Sequence, residues 1–342
     1  MQKGLRVKLL LAGIFLLSFA YGYYTTLARI SSSSAEVTSK VALAELASSA
    51  PALLWGMLSD KLGAKRVSPL GLIAAPIALS GTSPLSVFLA LSFFYAPFLV
   101  ALLEASTISN EVLGEAVAFL SLGWGLGVLA LSLEVIGKTL LALSFILGSI
   151  LVTLGSENRV SSFEPVKALV KLKPLILPLS LFIGAEYLAY ALTALRLYEV
   201  APSLFALSYA ILPSITSFIC GYCAGKAVEA YGAERVLLAS MASYPLVVFL
   251  ALVAPPPLCL ISWAIPIYPF YETSLISLVI RVANVSEGSA LGFTYALMAI
   301  SSLMVFPLTS INNITIHAIV IIAMMVMANI LMWRSLKRLT PS

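Results

Sequence analysis

The sequence is dominated by long apolar runs of about 18 to 24 residues, separated by short polar connections. Such runs are long enough to cross a bilayer as α-helices, which pair every backbone hydrogen-bonding group internally. They lack the two-residue alternation of the strands in a membrane barrel. Only 10% of the residues are charged, whereas a soluble domain has roughly a quarter. The chain is therefore predicted to be an all-α polytopic membrane protein.

Twelve such runs can be placed along the chain, and we number them spans 1 to 12. Successive spans must run antiparallel because their connections are short, apart from one longer polar connection near the middle. This connection predicts two six-helix bundles, at residues 1–155 and 174–342, joined by a cytoplasmic central loop at 156–173. The spans are expected at about 8–29, 40–58, 67–83, 85–105, 112–134, 138–154, 174–197, 203–223, 236–253, 258–280, 289–308 and 313–333.

The distribution of Lys and Arg predicts the topology of the chain. With the amino terminus inside, sixteen of the 20 basic residues fall on the inner side, including Arg159 in the central loop. Because the basic residues are scattered between apolar spans, they do not indicate nucleic-acid binding. We expect a multi-pass protein of the cell membrane, acting as a monomer, with both termini in the cytoplasm. The outer side has only Arg29, Lys40, Lys138 and Arg196.

The residue types needed for catalysis or metal binding are scarce and scattered. No His, Cys and Asp residues share a metal-ligand spacing, and no nucleophile and base form a constellation. We therefore expect no enzymatic activity, no cofactor and no metal. Cys220 and Cys223 form a C-x-x-C motif inside an apolar span, which favours packing over redox chemistry. The sole histidine, His317 in span 12, is likewise expected to pack rather than relay protons.

Two short segments of the sequence are related to each other. Residues 56–67 and 225–236 both fit the pattern G-x-x-x-[DE]-x-x-G-A-x-R-V, at an offset of 169 residues. Each lies between the second and third spans of its own half. Duplication in the same orientation is an arrangement found in transporters. Further matches at similar offsets pair Asn110, Gly114, Ala116 and Phe119 with Asn284, Gly288, Ala290 and Phe293.

The first copy resembles the loop signature of the major facilitator superfamily, G-x-L-[AS]-D-[RK]-x-G-[RK]-[RK]. It departs from that signature at Ala64, where a basic residue is preferred. The resemblance implies two six-helix bundles around a central site, which transport by alternating access. It also implies that Asp60 faces the eleventh helix, which begins near Glu287, and that Lys65 and Arg66 help Asp60 to hold an inner gate closed.

The loop residues also have a physical interpretation of their own. Gly56 permits close helix contact, Gly63 has the freedom for a tight reversal, and Asp60 can face the positive end of a helix. The alternative is that the basic residues only fix the topology. The candidate gate residues are Gly56, Asp60, Gly63, Lys65 and Arg66 in the first copy, and Gly225, Glu229, Gly232 and Arg235 in the second.

Spans 1 and 7 have matching residues at an offset of 167. These residues fall within a stripe of about 120° on one helical face, which we expect to face the shared interior. The resemblance implies that spans 1, 4, 7 and 10 line the pathway, and simple packing is the alternative. Arg29 and Arg196 lie near the outer ends of their spans. The simpler explanation of these two residues is snorkelling, in which the long side chain extends along the helix and places its charge in water. The stripe pairs Phe15, Tyr23, Thr26 and Arg29 with Phe182, Tyr190, Thr193 and Arg196. The candidate pathway residues are Tyr23, Thr26, Tyr190, Thr193, Tyr95, Tyr268 and Tyr271.

Four glutamates lie within or close to the apolar spans, where charge is costly. Glu186 is near the middle of span 7 and Glu272 is past the middle of span 10. Either can hold a proton at neutral pH, because burial disfavours the charged form. We favour Glu186 first and Glu272 second for proton coupling; the alternative is a neutral acid bonded to a neighbouring helix. Glu104 is expected to be in water near the cytoplasmic end of its span. Glu45, in the outer half of span 2, is a weaker candidate for proton coupling.

These features together predict a secondary active transporter of a small solute, working by alternating access and coupled to protons. Its partners are then the solute, protons and the lipid bilayer. An uncoupled facilitator and a membrane receptor or scaffold that moves nothing are the alternatives. Few charges and several Tyr and Thr residues indicate a neutral, partly apolar solute. Span 5 lacks the proline, and span 4 the arginine, of the superfamily's drug/proton antiporters, which counts against a drug exporter.

Overall fold

The computed structural model describes residues 3–31, 35–132, 137–157, 160, 163–306 and 313–339, and Arg159 lies outside them. Within these ranges the chain is helical and has no strand. Eight of the helices described are long and apolar enough to cross a membrane. The first half contains α1 (Lys3–Ile30), α2 (Ala35–Ala47), α3 (Ala52–Leu62), α4 (Ala64–Val67), α5 (Ala74–Ser80), α6 (Pro84–Ile108), α7 (Asn110–Ser132) and α8 (Lys138–Gly155). The second half contains α9 (Pro165–Val200), α10 (Leu212–Tyr231), α11 (Ala233–Val253), α12 (Leu258–Ser262), α13 (Tyr268–Ala283), α14 (Glu287–Val305) and α15 (Ile314–Leu339).

Each predicted span coincides with a helix or with a series of short helices. Span 2 consists of α2 and α3, and span 10 consists of α12 and α13. Span 3 is formed by α4, a 3-10 segment at Ser68–Ile73, and α5. Pro51, Pro69 and Pro266 lie at or near these interruptions. Proline cannot donate its backbone hydrogen bond and clashes with the preceding turn, so it separates the helical pieces.

The central connection is shorter than the predicted loop at 156–173. Helix α9 begins at Pro165, so residues 165–173 are already helical. Proline suits the first turn of a helix because its N–H would have no partner there. Since α9 has 36 residues and about 20 suffice to cross a bilayer, its first turns extend beyond the apolar span.

The two halves repeat the same packing arrangement. Helix α1 packs against α7 and α8, and in the second half α9 packs against α14 and α15. Each half also contains a large cluster of buried apolar side chains. The tight reversals after α3 and α10 match as well, because Gly63 has φ of +90° and Gly232 has φ of +83°. Such positive φ values favour glycine, as predicted for Gly63.

The halves meet along two seams, α3 with α14 and α7 with α10. At the first seam, a methyl group on Gly56 would lie 2.0 Å from the carbonyl oxygen of Gly288. At the second, a methyl on Gly225 would lie 2.4 Å from the carbonyl oxygen of Asn110, and one on Gly114 2.3 Å from that of Gly221. Small residues let helices approach to backbone contact within a membrane. The duplicated glycines therefore allow close helix contact at both seams.

Candidate functional site

Asp60 lies between the two halves, at the end of α3 and against the amino end of α14. Its Oδ1 accepts a hydrogen bond from the backbone N–H of Gly288 at 2.9 Å. Its Oδ2 accepts bonds from the backbone N–H and the hydroxyl of Ser289, at 2.7 and 2.5 Å. The side chain is buried, with Asp60 only 2% exposed. A carboxylate here satisfies unpaired amide groups and faces the positive end of the helix dipole.

The central connection packs beside this contact, on the side of the molecule where both termini lie. The backbone N–H of Glu164 donates to the hydroxyl of Ser286 at 2.6 Å, and Lys171 Nζ donates to the carbonyl of Ala283 at 2.9 Å. Both acceptors belong to the end of α13 or the turn before α14. Lys65 and Arg66 are exposed and form no ion pair within the described part of the chain. Among the described residues, Asp60 is thus the one of the three whose side chain has a hydrogen bond to α14.

The second copy of the loop preserves the turn but not the carboxylate contact. Glu229 and Arg235 are exposed, and Glu229 has no hydrogen bond or ion pair with a described residue. Glu234 instead pairs with Arg281 at the end of α13. Gly225 still packs on α7, as described above. The two copies therefore share their glycines and differ in their acidic contact.

Glu45 is the centre of a polar cluster in the first half. It accepts a hydrogen bond from the Tyr21 hydroxyl at 2.8 Å and pairs with Arg29 at 2.6 Å. The explanation of Arg29 by snorkelling is therefore wrong, since its guanidinium turns to a buried carboxylate. The importance of Glu45 could not be predicted from the sequence, because its partner Arg29 is on another span.

Glu104 is a second paired carboxylate in the first half, and the expectation that it lies in water is wrong. It is only 4% exposed and forms an ion pair with Arg6 of α1. Arg6 also pairs with Glu157 and donates to the carbonyl of Gly155. The end of span 4 is thus covered by α1 and by the residues that follow α8.

The two glutamates of the second half have neutral partners. Glu186 of α9 accepts a hydrogen bond from the Tyr244 hydroxyl at 2.7 Å, and Glu272 of α13 accepts one from the Tyr295 hydroxyl. Neither carboxyl forms an ion pair within the described residues. The sequence missed Tyr244 and Tyr295 because they lie on spans 9 and 11, outside those that the resemblance assigns to the pathway.

Four of the candidate pathway residues belong to two groups of packed aromatic rings. Tyr95 packs on Tyr295 of the other half at a ring distance of 6.2 Å. Tyr268 and Tyr271 are on α13 beside Glu272, and Tyr271 stacks near Phe182 at 4.9 Å.

The second group lies towards the side opposite the termini. Tyr190 packs between Trp124 of α7 at 6.0 Å, Tyr209 at 5.1 Å and Trp263 at 5.9 Å. We call these four rings the aromatic gate cluster. Trp124 belongs to the first half and the other three to the second. The sequence did not identify Trp124, Tyr209 or Trp263, because rings from separate spans meet only in the fold.

The remaining residues of the stripe differ in their burial and in their hydrogen bonding. Tyr23 is buried and Thr26 is half-buried. Thr193 is fully buried, and its hydroxyl has no hydrogen-bond partner among the described residues; the same holds for the Nε of the partly buried Arg196. Phe15 packs edge-on against Phe119, as the packing alternative predicts.

The described residues contain no group of three His, Cys, Asp or Glu that could hold a metal ion. His317 is buried at the start of α15, with Nδ1 2.9 Å from the carbonyl oxygen of Asn313. Cys220 and Cys223 are free thiols. These positions are compatible with the packing roles predicted for them.

Solved structures of transporters share this fold over nearly the whole chain. A bacterial homologue of the iron transporter ferroportin, in an outward-facing state, has a TM-score of 0.70 at 14% identity, covering 97% of this chain and 100% of that one. The fucose:proton symporter of E. coli has a TM-score of 0.64 at 14% identity, covering 98% and 99%. The major facilitator superfamily proton:xylose symporter, bound to 6-bromo-6-deoxy-D-glucose, has a TM-score of 0.67 at 13% identity, covering 97% and 95%.

Sequence comparison adds nothing to this likeness. No family model matches the chain, and no curated protein matches it either. The structural similarity is nonetheless continuous across both halves. The chain has the twelve-helix, two-bundle fold of the major facilitator superfamily transporters.

Proposed function

We propose that this protein is a secondary transporter, which moves a small solute across the cell membrane by rocking its two halves around the site between them. The observation on which this rests is the Asp60 contact, because it joins the two halves by hydrogen bonds at the end of α3. The distribution of Lys and Arg assigns that end to the cytoplasm. The chain then acts as a monomer, with both termini inside.

The Asp60 contact has the properties needed of an inner gate. It is strong when formed, because hydrogen bonds to a charged group are each worth about 1.5–3 kcal/mol. It is also reversible, because both the carboxylate and the amide groups of Gly288 and Ser289 can be hydrated when the halves separate. The exposed Glu229 in the second copy leaves the closure asymmetric. A gate at Asp60 would therefore open by breaking one localised contact.

The aromatic gate cluster supplies a contact of another kind nearer the opposite side. Trp124 meets Tyr190 and Tyr209 through ring faces and edges, without a salt bridge. Such ring pairs add about 0.5–1.5 kcal/mol each beyond area burial. Weak contacts of this kind can break while the Asp60 contact is formed, and form while it is broken, as the molecule alternates between its two open states.

Proton coupling is assigned to Glu186 first and to Glu272 second. A carboxyl in an ion pair, such as Glu45 with Arg29, already has a cationic partner within the protein. Glu186 and Glu272 instead face tyrosine hydroxyls, which can bond either protonation state. Glu186 is also half-buried. These features support proton exchange at this pair.

The test is solute flux in proteoliposomes that contain the purified protein. A thermal-shift screen against metabolites and drugs first identifies a ligand, because a true ligand stabilises the folded protein by mass action. We expect uptake of that ligand to collapse with a protonophore and with Glu186→Gln, and to persist with Glu199→Gln at an exposed position. Uptake that is indifferent to the protonophore and to Glu186→Gln would establish an uncoupled facilitator. Absence of flux for every ligand that binds would contradict transport and favour a receptor or scaffold.

A further inference from the structure

A serine precedes α14, but an aspartate of the other half binds the amides that a serine cap would take. Ser286 lies at the N-cap position, because its carbonyl oxygen accepts the first helical hydrogen bond from the N–H of Ala290 at 3.0 Å. The hydroxyl of an N-cap serine normally accepts a bond from the second or third amide of its helix. In α14 those two amides belong to Gly288 and Ser289, and both donate to Asp60. The carboxylate of the first half thus occupies the place of the cap.

The hydroxyl of Ser286 is bound by the central connection. It accepts the backbone N–H of Glu164 at 2.6 Å, and Ser286 is completely buried. Lys171 binds the other end of the same turn, because its Nζ donates to the carbonyl of Ala283 at 2.9 Å. Ser286 has φ of +48°, in the left-handed region that is costly for a residue with a Cβ atom. N-cap residues are usually extended, so the backbone of Ser286 is turned away from the geometry of a cap.

The first half has the ordinary arrangement at the same place in the fold. Ser109 precedes α7, the helix of span 5, as Ser286 precedes α14, the helix of span 11. Ser109 is extended, with φ of −173° and ψ of 163°. Its hydroxyl accepts the N–H of Val112, the third residue of α7, at 3.2 Å. Ser109 therefore shows the geometry open to Ser286 once Asp60 and Glu164 no longer bind this end of α14.

We propose that Ser286 is an alternative cap, which replaces Asp60 at the amino end of α14 when the inner contact opens. In the closed state, Glu164 binds the hydroxyl of Ser286 while Asp60 binds the amides of Gly288 and Ser289. When Asp60 withdraws, Ser286 becomes extended and its hydroxyl accepts one of the freed amides. This amide exchanges one acceptor for another, which lowers the free energy of opening. Ser286 is then a positioning residue that acts through α14, and its part in opening rests on the proposed transport function.

The experiment measures hydrogen–deuterium exchange at the start of α14 in the purified full chain in detergent. The natural protein, Ser286→Ala, Asp60→Ala and the double variant form a cycle. We expect Ser286→Ala alone to leave exchange at Gly288 and Ser289 nearly unchanged, because Asp60 still binds both amides. In the Asp60→Ala background, Ser286→Ala should make exchange about 2- to 30-fold faster, the range that corresponds to loss of an N-cap.

Matched variants locate the effect. Asparagine caps helices well and tolerates positive φ, so Ser286→Asn in the Asp60→Ala background should keep exchange slow. Ser109→Ala, before α7, should make exchange at Val112 faster by the same factor with and without Asp60. Asp60→Asn keeps the size of the side chain and is the second background, in case Asp60→Ala folds poorly.

Equal effects of Ser286→Ala in both backgrounds would overturn the proposal, because the serine would then only anchor the turn. Unchanged exchange on adding Ser286→Ala to either Asp60 variant would also overturn it. Failure of the transport function gives a different result, namely the unequal effects of Ser286→Ala with no flux in proteoliposomes. Equal effects together with flux would leave the transport function standing and remove the alternative cap.

Discussion

At the scale of single residues, the glutamates within the spans differ in what neutralises them. Glu45 and Glu104 pair with arginines, whereas Glu186 and Glu272 receive tyrosine hydroxyls. A charge inside a membrane protein is tolerated when it is paired, or when it serves function. All four residues can be picked from the sequence as unusual. Their division into paired and unpaired groups cannot, because Arg29 and Glu45 meet only after α1 and α2 have folded side by side.

The Arg29–Glu45 pair should be energetically coupled. A double-mutant cycle with Arg29→Ala and Glu45→Ala is expected to give an interaction energy of roughly 0.5–3 kcal/mol. We expect the upper part of that range, because Glu45 is buried. Thermal unfolding in detergent gives the measurement. The exposed pair Glu164–Lys167 is the control and should give no more than about 1 kcal/mol; equal coupling in the two cycles would contradict a structural role for Glu45.

Substitution of Asp60 tests its contact with α14, and hydrogen exchange at the donor residues of α14 is the measurement. Asp60→Asn presents an uncharged amide to Gly288 and Ser289 and should lose about 1.5–3 kcal/mol for each charged hydrogen bond that is broken. We expect faster hydrogen–deuterium exchange in the first turn of α14. Glu229→Gln, at the corresponding exposed position of the second copy, should leave that exchange unchanged. Unchanged exchange at α14 in Asp60→Asn would show that the contact does not close this end.

At the scale of helices, the sequence predicts where the chain crosses the membrane better than where helices break. Apolar length locates each crossing because a helix must span a fixed thickness. The interruptions in spans 2, 3 and 10 lie at or near prolines. In contrast, α6 continues through Pro97 and α11 continues through Pro245 without a break. Whether a proline separates two helices depends on neighbouring elements that satisfy the freed carbonyl. Pattern alone therefore does not fix these ends.

The two glycine seams give a prediction at this scale. Gly56→Ala places a methyl 2.0 Å from the carbonyl oxygen of Gly288, so α3 and α14 must move apart. We expect faster exchange in the first turn of α14, as for Asp60→Asn, even though the carboxylate is intact. Gly225→Ala should act instead on the start of α7, and Gly4→Ala, with no atom within 4 Å of the added methyl, is the neutral control. Identical effects of Gly56→Ala and Gly4→Ala would contradict close contact at the first seam.

At the scale of the whole molecule, duplication explains both what is shared and what differs between the halves. The shared parts are the glycines, the reversals at Gly63 and Gly232, and the packing of α1 and α9 on their neighbours. The repeat predicts these because backbone contacts require the same small residues in both copies. The differences are functional in our account: Asp60 is in the first half, and the unpaired Glu186–Glu272 site is in the second. Rocking of the halves would couple the Asp60 contact to the carboxyls of Glu186 and Glu272.

The most direct test of alternating access is a pair of distances measured by spin labelling in a cysteine-free background. One pair, at the exposed positions Leu62 and Tyr231, reports on the termini side; the other, at Leu85 and Leu258, reports on the opposite side. We expect a bound ligand or a change of pH to lengthen one distance and to shorten the other. We also expect Asp60→Asn to shift the population towards the state that is open on the termini side. Two distances that stay fixed, or that lengthen together, would contradict it.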